Sequence, residues 1–355
     1  MKKTFLAILV AATLVACAKE DVISQNNEAI GFKQAFVDNS VRSVKDPSLD
    51  ATSLQGVGFD AYAFVEKNVL LSEEPVTYSA PAWGYSNTQY WINGAQYNFC
   101  AIAPTTGKSW EVTSKSVDTN YDATFVLSFT NDGTEDLLFA NAGKIQGQAA
   151  GSNSTVGFTF GHLLSKVKFS FENGYNASTA TIKVSDVHIE NAHQSAIATV
   201  TAPGTLVQDV AAYSVVWSSL STPIDLYFGD AVADDVDTDA DAFAYGSTLE
   251  SYKELLLIPS AEEYEYTVTF HVDLLVSGNP VNAGYEHTAT VKFAPAAGYS
   301  YNIKAVVSAE NIDPDNEQEE IVFTVTEVED WKNGNTQDDS DPADGVNDSR
   351  PLLLN

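Results

Sequence analysis

The sequence predicts an all-β protein built of sandwiches, and three observations carry the prediction. Apolar residues recur with a period of two rather than 3.6, most clearly over residues 266–274, where Tyr266, Val268, Phe270, Val272 and Leu274 take every second position. Clusters such as Asn131-Asp132-Gly133, Glu172-Asn173-Gly174 and Ser277-Gly278-Asn279-Pro280 punctuate these runs as turns. An amphipathic helix pattern nowhere persists for three turns, and no blade-length repeat suggests a propeller.

From the N-terminus, Lys2 and Lys3 precede an apolar stretch, Phe5 through Val15, broken only by Thr13. That stretch is too short to span a bilayer and is followed by small residues, so residues 1–16 read as a signal peptide. Leu14-Val15-Ala16-Cys17 resembles the bacterial lipobox, which implies cleavage before Cys17 and its acylation, with palmitate among the attached chains. Cys17-Ala18-Lys19-Glu20-Asp21 resembles the Lys-acidic-acidic signal that sends lipoproteins of some Gram-negative anaerobes to the outer face of the outer membrane. Residues 17–27 form a polar tether with little apolar content to fold on.

Folding is expected from Glu28. Ile30, Phe32 and Phe36 share one face of a first strand, with Gln34 the only polar interruption. The same alternation places Val57, Phe59, Ala61, Ala63 and Val65 on one strand face, and Trp91, Asn93, Ala95 and Tyr97 on another. It recurs at Val167, Phe169 and Phe171, at alternate residues over 299–307, and at Ile321, Phe323 and Val325. The 339 residues left without the signal exceed the needs of one sandwich. The turn at Asn173-Gly174-Tyr175-Asn176 therefore divides an N-terminal sandwich, residues 28–176, from a C-terminal one, residues 177–331. After Trp331 the alternation stops. Residues 332–355 form an acidic tail, expected to be disordered, with Asp338, Asp339, Asp341, Asp344 and Asp348. A donated strand needs alternating side chains, and this tail has none.

The net charge is −30 over the 355 residues and −32 once Lys2 and Lys3 leave, which disfavours nucleic acid and anionic headgroups as partners. Cys100 has no partner after acylation of Cys17 and reads as a small buried apolar residue. His162, His188, His193, His271 and His287 stand in no nucleophile-elbow, zincin or phosphate-loop context. His271 and His287 fall on the polar face of strands, and His188 and His193 are spaced unsuitably for a metal pair. The acidic run 230–241 fails as an EF-hand starting at Asp235, because Ala240 holds the glycine position and Gly246 the terminal Glu position, so it reads as a solvated loop. No pattern singles out a pair of carboxylates for glycoside hydrolysis. Neither a metal, a cofactor nor an enzymatic activity is implied. Trp83, Tyr85, Tyr90, Trp91 and Tyr97 could stack on sugars, but their alternation reads as core.

Several segments in order resemble the fimbrillin family, the lipoprotein-derived subunits of type V pili. Asp136-Leu137-Leu138-Phe139-Ala140 is similar to the family's DLLYA motif. Phe160-Gly161-His162-Leu163-Leu164-Ser165-Lys166-Val167-Lys168-Phe169 is similar to its F-x-H-A-L-S-K-I-x-F motif, departing at Leu163. Glu254-Leu255-Leu256-Leu257-Ile258-Pro259, Pro295-Ala296-Ala297-Gly298-Tyr299-Ser300-Tyr301 and Val328-Glu329-Asp330-Trp331 continue the match. The resemblance implies two tandem transthyretin-like (Greek-key) β-sandwiches, no enzyme activity, a structural role for His162, and a surface fimbrium assembled with other pilus subunits by strand donation, with a role in adhesion. It also implies an Arg-specific cut near Arg42 and Ser43, removing a first strand that carries Ile30, Phe32 and Phe36. The competing reading is a surface glycan-binding lipoprotein. It requires a coplanar, exposed trio of the aromatics between residues 83 and 97.

Overall fold

In a computed structural model, the described residues are 25–37, 46–206, 213–221, 223–233, 239–312 and 319–330. The chain opens with β1 (Gln25–Ala29) and β2 (Phe32–Val37), followed by a short helix, α1 (Ala51–Val57). Next come β3 (Phe59–Val65), β4 (Asn68–Ser79), β5 (Ala82–Gly84), β6 (Tyr90–Ile92) and β7 (Gln96–Ala103). β8 (Trp110–Val117), β9 (Ala123–Thr130), β10 (Leu138–Gln146) and β11 (Val156–His162) lead to β12 (Ser165–Asn173). β13 (Ala180–His193), β14 (Ser195–Ala202), β15 (Ser214–Ser218) and β16 (Pro223–Gly229) follow. Four short strands come next: β17 (Ala231–Val232), β18 (Phe243–Ala244), β19 (Thr248–Ser251) and β20 (Leu255–Leu257). The long hairpin of β21 (Tyr264–Val276) and β22 (Asn279–Phe293), then β23 (Tyr299–Val307), α2 (Ala309–Ile312) and β24 (Phe323–Asp330), complete the described chain. The protein is all-β, as its alternation predicts.

β2, β11, β10, β7, β3, β4 and β5 form a seven-stranded sheet in that order. One face packs on the four-stranded sheet β15-β14-β9-β8, where Tyr62, Phe64 and Ile102 meet Phe125, Leu127, Ala198 and Val200. The opposite face, with Phe32, Phe59, Ala61, Phe99 and Ala101, is covered by Ile30, Leu54 and Trp91. β3 is therefore buried on both faces along its first six residues, where alternation alone suggested one. A third core lies between the six-stranded sheet around β12 and β23 and the five-stranded sheet around β13 and β21. It is centred on Val167, Phe169, Phe171, Phe228 and Phe270.

Two runs read as single strands are interrupted. Val57 ends α1 instead of starting β3: Asp50 and Ser53 close a capping box at the helix start, and Gly58 stops the helix at a φ of 69°. A Cβ on Gly58 would lie 2.7 Å from the Val76 carbonyl oxygen, so the turn has no room for a side chain. Residues 91–97 are β6 and the start of β7, joined by a turn in which Gly94 has a φ of 80°.

Sheet membership does not divide at residue 176. β12 runs parallel to β23, from Lys166 opposite Ser300 to Asn173 opposite Val307. β14, although it follows β13 directly, pairs with β9 from Ser195 opposite Thr130 to Ala202 opposite Ala123. The chain thus returns from the five-stranded sheet to complete the four-stranded one.

Candidate assembly site: the seat of the N-terminal strand

β2 is the edge strand of the seven-stranded sheet and runs parallel to β11, with Phe32 opposite Val156 and Ala35 opposite Phe158. Between those pairs the register shifts, so the core-facing side chains are Phe32, Ala35 and Val37 while Lys33 is exposed. The uniform alternation expected for Ile30, Phe32 and Phe36 is replaced by a bulge that flips the later half of the strand. Phe36 pairs with Thr159 along the backbone, and its side chain lies outside the described residues. Ile30 and Phe32 are 1% and 6% exposed, and burying two such side chains is worth about 1.5–3 kcal/mol each.

The seat is aromatic. The Phe32 ring centroid lies 5.3 Å from Tyr85, 5.8 Å from Phe158 and 6.0 Å from Phe59. Trp83 covers the far side of Phe59 at 5.0 Å. Polar contacts fix the strand along its length. The Tyr85 hydroxyl donates to the Ile30 carbonyl at 2.8 Å and accepts from the Gln89 amide at 3.0 Å, while the Ile30 amide donates to the Gln89 carbonyl. The Val156 amide donates to the Gly31 carbonyl at 2.8 Å. Glu28 accepts from the Asn153 side-chain amide at 2.7 Å and the Gly151 amide at 2.9 Å, and these hydrogen bonds hold its carboxyl below the usual carboxylate range. Without β2, the edge of β11 would be unpaired and Phe158 and Phe59 uncovered.

Other candidates are dispersed. Cys17, Arg42, Ser43 and the tail from residue 332 lie outside the described residues. Trp91 and Tyr97 are 1% and 0% exposed, and Trp83 and Tyr85 are half-buried against Phe59 and Phe32. Only Tyr90 of the five aromatics is exposed, which removes the trio a glycan platform requires. Cys100 is fully buried, and desolvation pushes its thiol well up. His162 is buried at the end of β11, its Nδ1 2.8 Å from Asp136 Oδ2. His271 is on the outer face of its sheet beside Asp186 and Glu286, as its alternation predicts. His287 is not: it pairs with core-facing Phe270, stacks on that ring at 5.5 Å, and its pKa is lowered by burial. In the acidic loop, Asp230 accepts from the Asp186 amide and Asp241 from the Ala233 amide. Among the described residues no group of three His, Cys, Asp or Glu is placed to hold a metal ion.

The family model described as fimbrillin-like matches residues 53–331. No curated protein matches the chain. Among solved structures, a fimbrial protein from Bacteroides vulgatus ATCC 8482 is 16% identical, with a TM-score of 0.58, over 86% of this chain and 100% of that one. The fimbrial anchor protein Mfa2 from Porphyromonas gingivalis is 10% identical, with a TM-score of 0.34, over 86% of this chain and 98% of that one. The likeness to the first is one of fold.

Proposed function

Because this chain belongs to the fimbrillin-like family, and is thus a structural, non-enzymatic component of a cell-surface fimbrium that associates with other pilus subunits, we propose that it accepts a neighbour's strand in the seat of β2. The carrying observation is that β2 holds an edge position over an aromatic seat, joined to the body by one parallel ladder. The chain is exported as a lipoprotein acylated on Cys17 and held at the outer membrane. An Arg-specific protease then cuts between Arg42 and Ser43. Removal of residues 17–42 takes β1 and β2 away, leaving the β11 edge and the Phe59 and Phe158 rings open. An unpaired edge beside uncovered apolar surface is what a donated strand fills: the backbone ladder supplies affinity and the side-chain pockets supply register. Before the cut, β2 occupies the site itself and prevents premature polymerisation. The mature fimbrium then serves adhesion. N-terminal sequencing of surface-assembled material tests the sequence of events. A start at Ser43 is the expected result, and a blocked, acylated Cys17 in the assembled form overturns it.

A further inference from the structure

The polar residues of three separate sequence motifs converge on the short segment that follows the proposed cut. Asp136 precedes β10, His162 ends β11, Lys166 lies in β12 and Glu254 precedes β20. Lys166 Nζ donates to Asp46 Oδ2 at 2.6 Å and lies 3.2 Å from Glu254 Oε2. Asp136 Oδ2, bonded to His162 Nδ1, also accepts the Leu49 amide at 2.9 Å. Asp46 Oδ1 accepts the Ser48 amide at 2.8 Å and the Ser48 hydroxyl. Asp46 and Asp136 are 4% and 2% exposed, and Lys166 is 8% exposed.

Burying charge is expensive, and a paired buried cluster stabilises a fold little more than apolar side chains of the same volume would. Such a cluster is better explained by the position it fixes. What it fixes is the chain at residues 46–49, between the removable strand and the capped start of α1. The grips differ in kind. β2 is held by an edge ladder and an apolar seat, whereas residues 46–49 are held by the charge-assisted hydrogen bond from Lys166 of β12 to Asp46 and by the Leu49 amide on Asp136, with Glu254 and His162 in turn holding Lys166 and Asp136. Loss of one need not loosen the other.

We propose that Asp46, Lys166, Glu254 and the Asp136–His162 pair form a latch that sets where the releasable N-terminal segment ends, keeping the chain from Asp46 onward on the body when β1 and β2 leave. This rests on the reading that the chain is cut near Arg42. Lys166 and Asp136 act as positioning residues, touching neither the protease nor the incoming strand. Without the latch, the ordering that removal of β2 relaxes would spread through residues 46–49 into α1 and uncover Leu54, which is fully buried in the seat.

Amide hydrogen exchange of the purified chain, uncut and after Arg-specific cleavage in vitro, tests the latch. In the wild type, the Ser48 and Leu49 amides are expected to keep their protection after cleavage while Val156 loses it. Lys166→Met is expected to speed exchange at Ser48 and Leu49 by at least about tenfold, with β21 unchanged, since a hydrogen bond to a charged partner is lost. Asp46→Asn, which preserves shape, gives the same regional effect should the methionine variant fail to fold. Loss of Ser48 and Leu49 protection on cleavage of the wild type, or unaltered exchange in a folded variant, overturns the latch. An acylated Cys17 in assembled fimbriae would instead overturn the processing reading, and the uncut exchange data would stand apart from it.

Discussion

Phe32→Ala in the uncut chain is the most direct probe of the N-terminal seat. The ring is 6% exposed and touches three aromatic partners within 6.0 Å, so truncation removes a buried side chain and leaves a void that Tyr85, Phe158 and Phe59 can only partly fill. Core Phe→Ala changes cost about 3–5 kcal/mol, and an edge strand that can relax sits at the low end, near 3 kcal/mol. If β2 detaches as a unit while the rest stays folded, the whole cost falls on that local opening, and the open population rises about a hundredfold at about 1.4 kcal/mol per tenfold. Lys33 offers the readout, because trypsin can cut after it only when β2 has left the sheet, whereas cutting after Lys166 requires the body to open. When closing outpaces cleavage, the cutting rate tracks the open population. Cleavage after Lys33 should accelerate by about two orders of magnitude over the unsubstituted chain, with cleavage after Lys166 unchanged. Equal acceleration at both bonds would show that β2 is inseparable from the body. No acceleration would show that Phe32 does not hold it.

Burial lowers the pKa of His193 and His287 below the unfolded value of about 6.5, so their contribution is present above that pH and is lost as pH falls through the lowered values. Melting temperature should therefore fall between about pH 7 and 5, and His287→Phe, which keeps the stack on Phe270, should flatten part of that slope; an unchanged slope contradicts the assignment. Glu254 and Glu135, raised by burial, work oppositely, their contribution being complete below about pH 4.3 and lost as pH rises through the raised values. Cys100 should resist thiol reagents in the native chain and react on denaturation, and rapid native labelling would place it outside the core. Deleting residues 333–355 should leave the melting temperature within about 2 °C, since a segment without apolar alternation contributes no core; a large drop would show that it packs.

The strands were legible where one side chain in two is apolar. β21 buries Tyr266, Val268, Phe270, Val272 and Leu274, the face that alternation names. Period two states which face is buried and not which strand lies alongside, so the pairing of β12 with β23 and of β14 with β9 could not be read. Bulges defeat the pattern locally, as between Phe32 and Ala35, because one extra residue exchanges the faces. His287 was misread because a strand that reaches the rim of its sheet can place a polar residue on the core side at modest cost. Asp46 was missed for a different reason. An Asp before Pro47 reads as solvated loop, and only tertiary structure supplies the lysine 120 residues away that lets it be buried. For the seat, Ile30 and Phe32 were legible as apolar residues of a strand, while Tyr85, whose hydroxyl ties Ile30 to Gln89, was recognisable only as an aromatic.

The return of β14 to β9 also sets an order of events in the making of this molecule. A chain that emerges N-terminus first can complete its seven-stranded sheet once β11 is out, but the opposing layer stays half-built until Ser195–Ala202 and Ser214–Ser218 arrive. β12 waits longer, since its parallel neighbour Tyr299–Val307 is separated from it by more than a hundred residues. Closing such loops before any contact repays them makes folding slow, and it leaves the β9 edge that pairs with β14 open in the interval. During that time, an edge already covered by β2 is one fewer place for two nascent chains to pair wrongly.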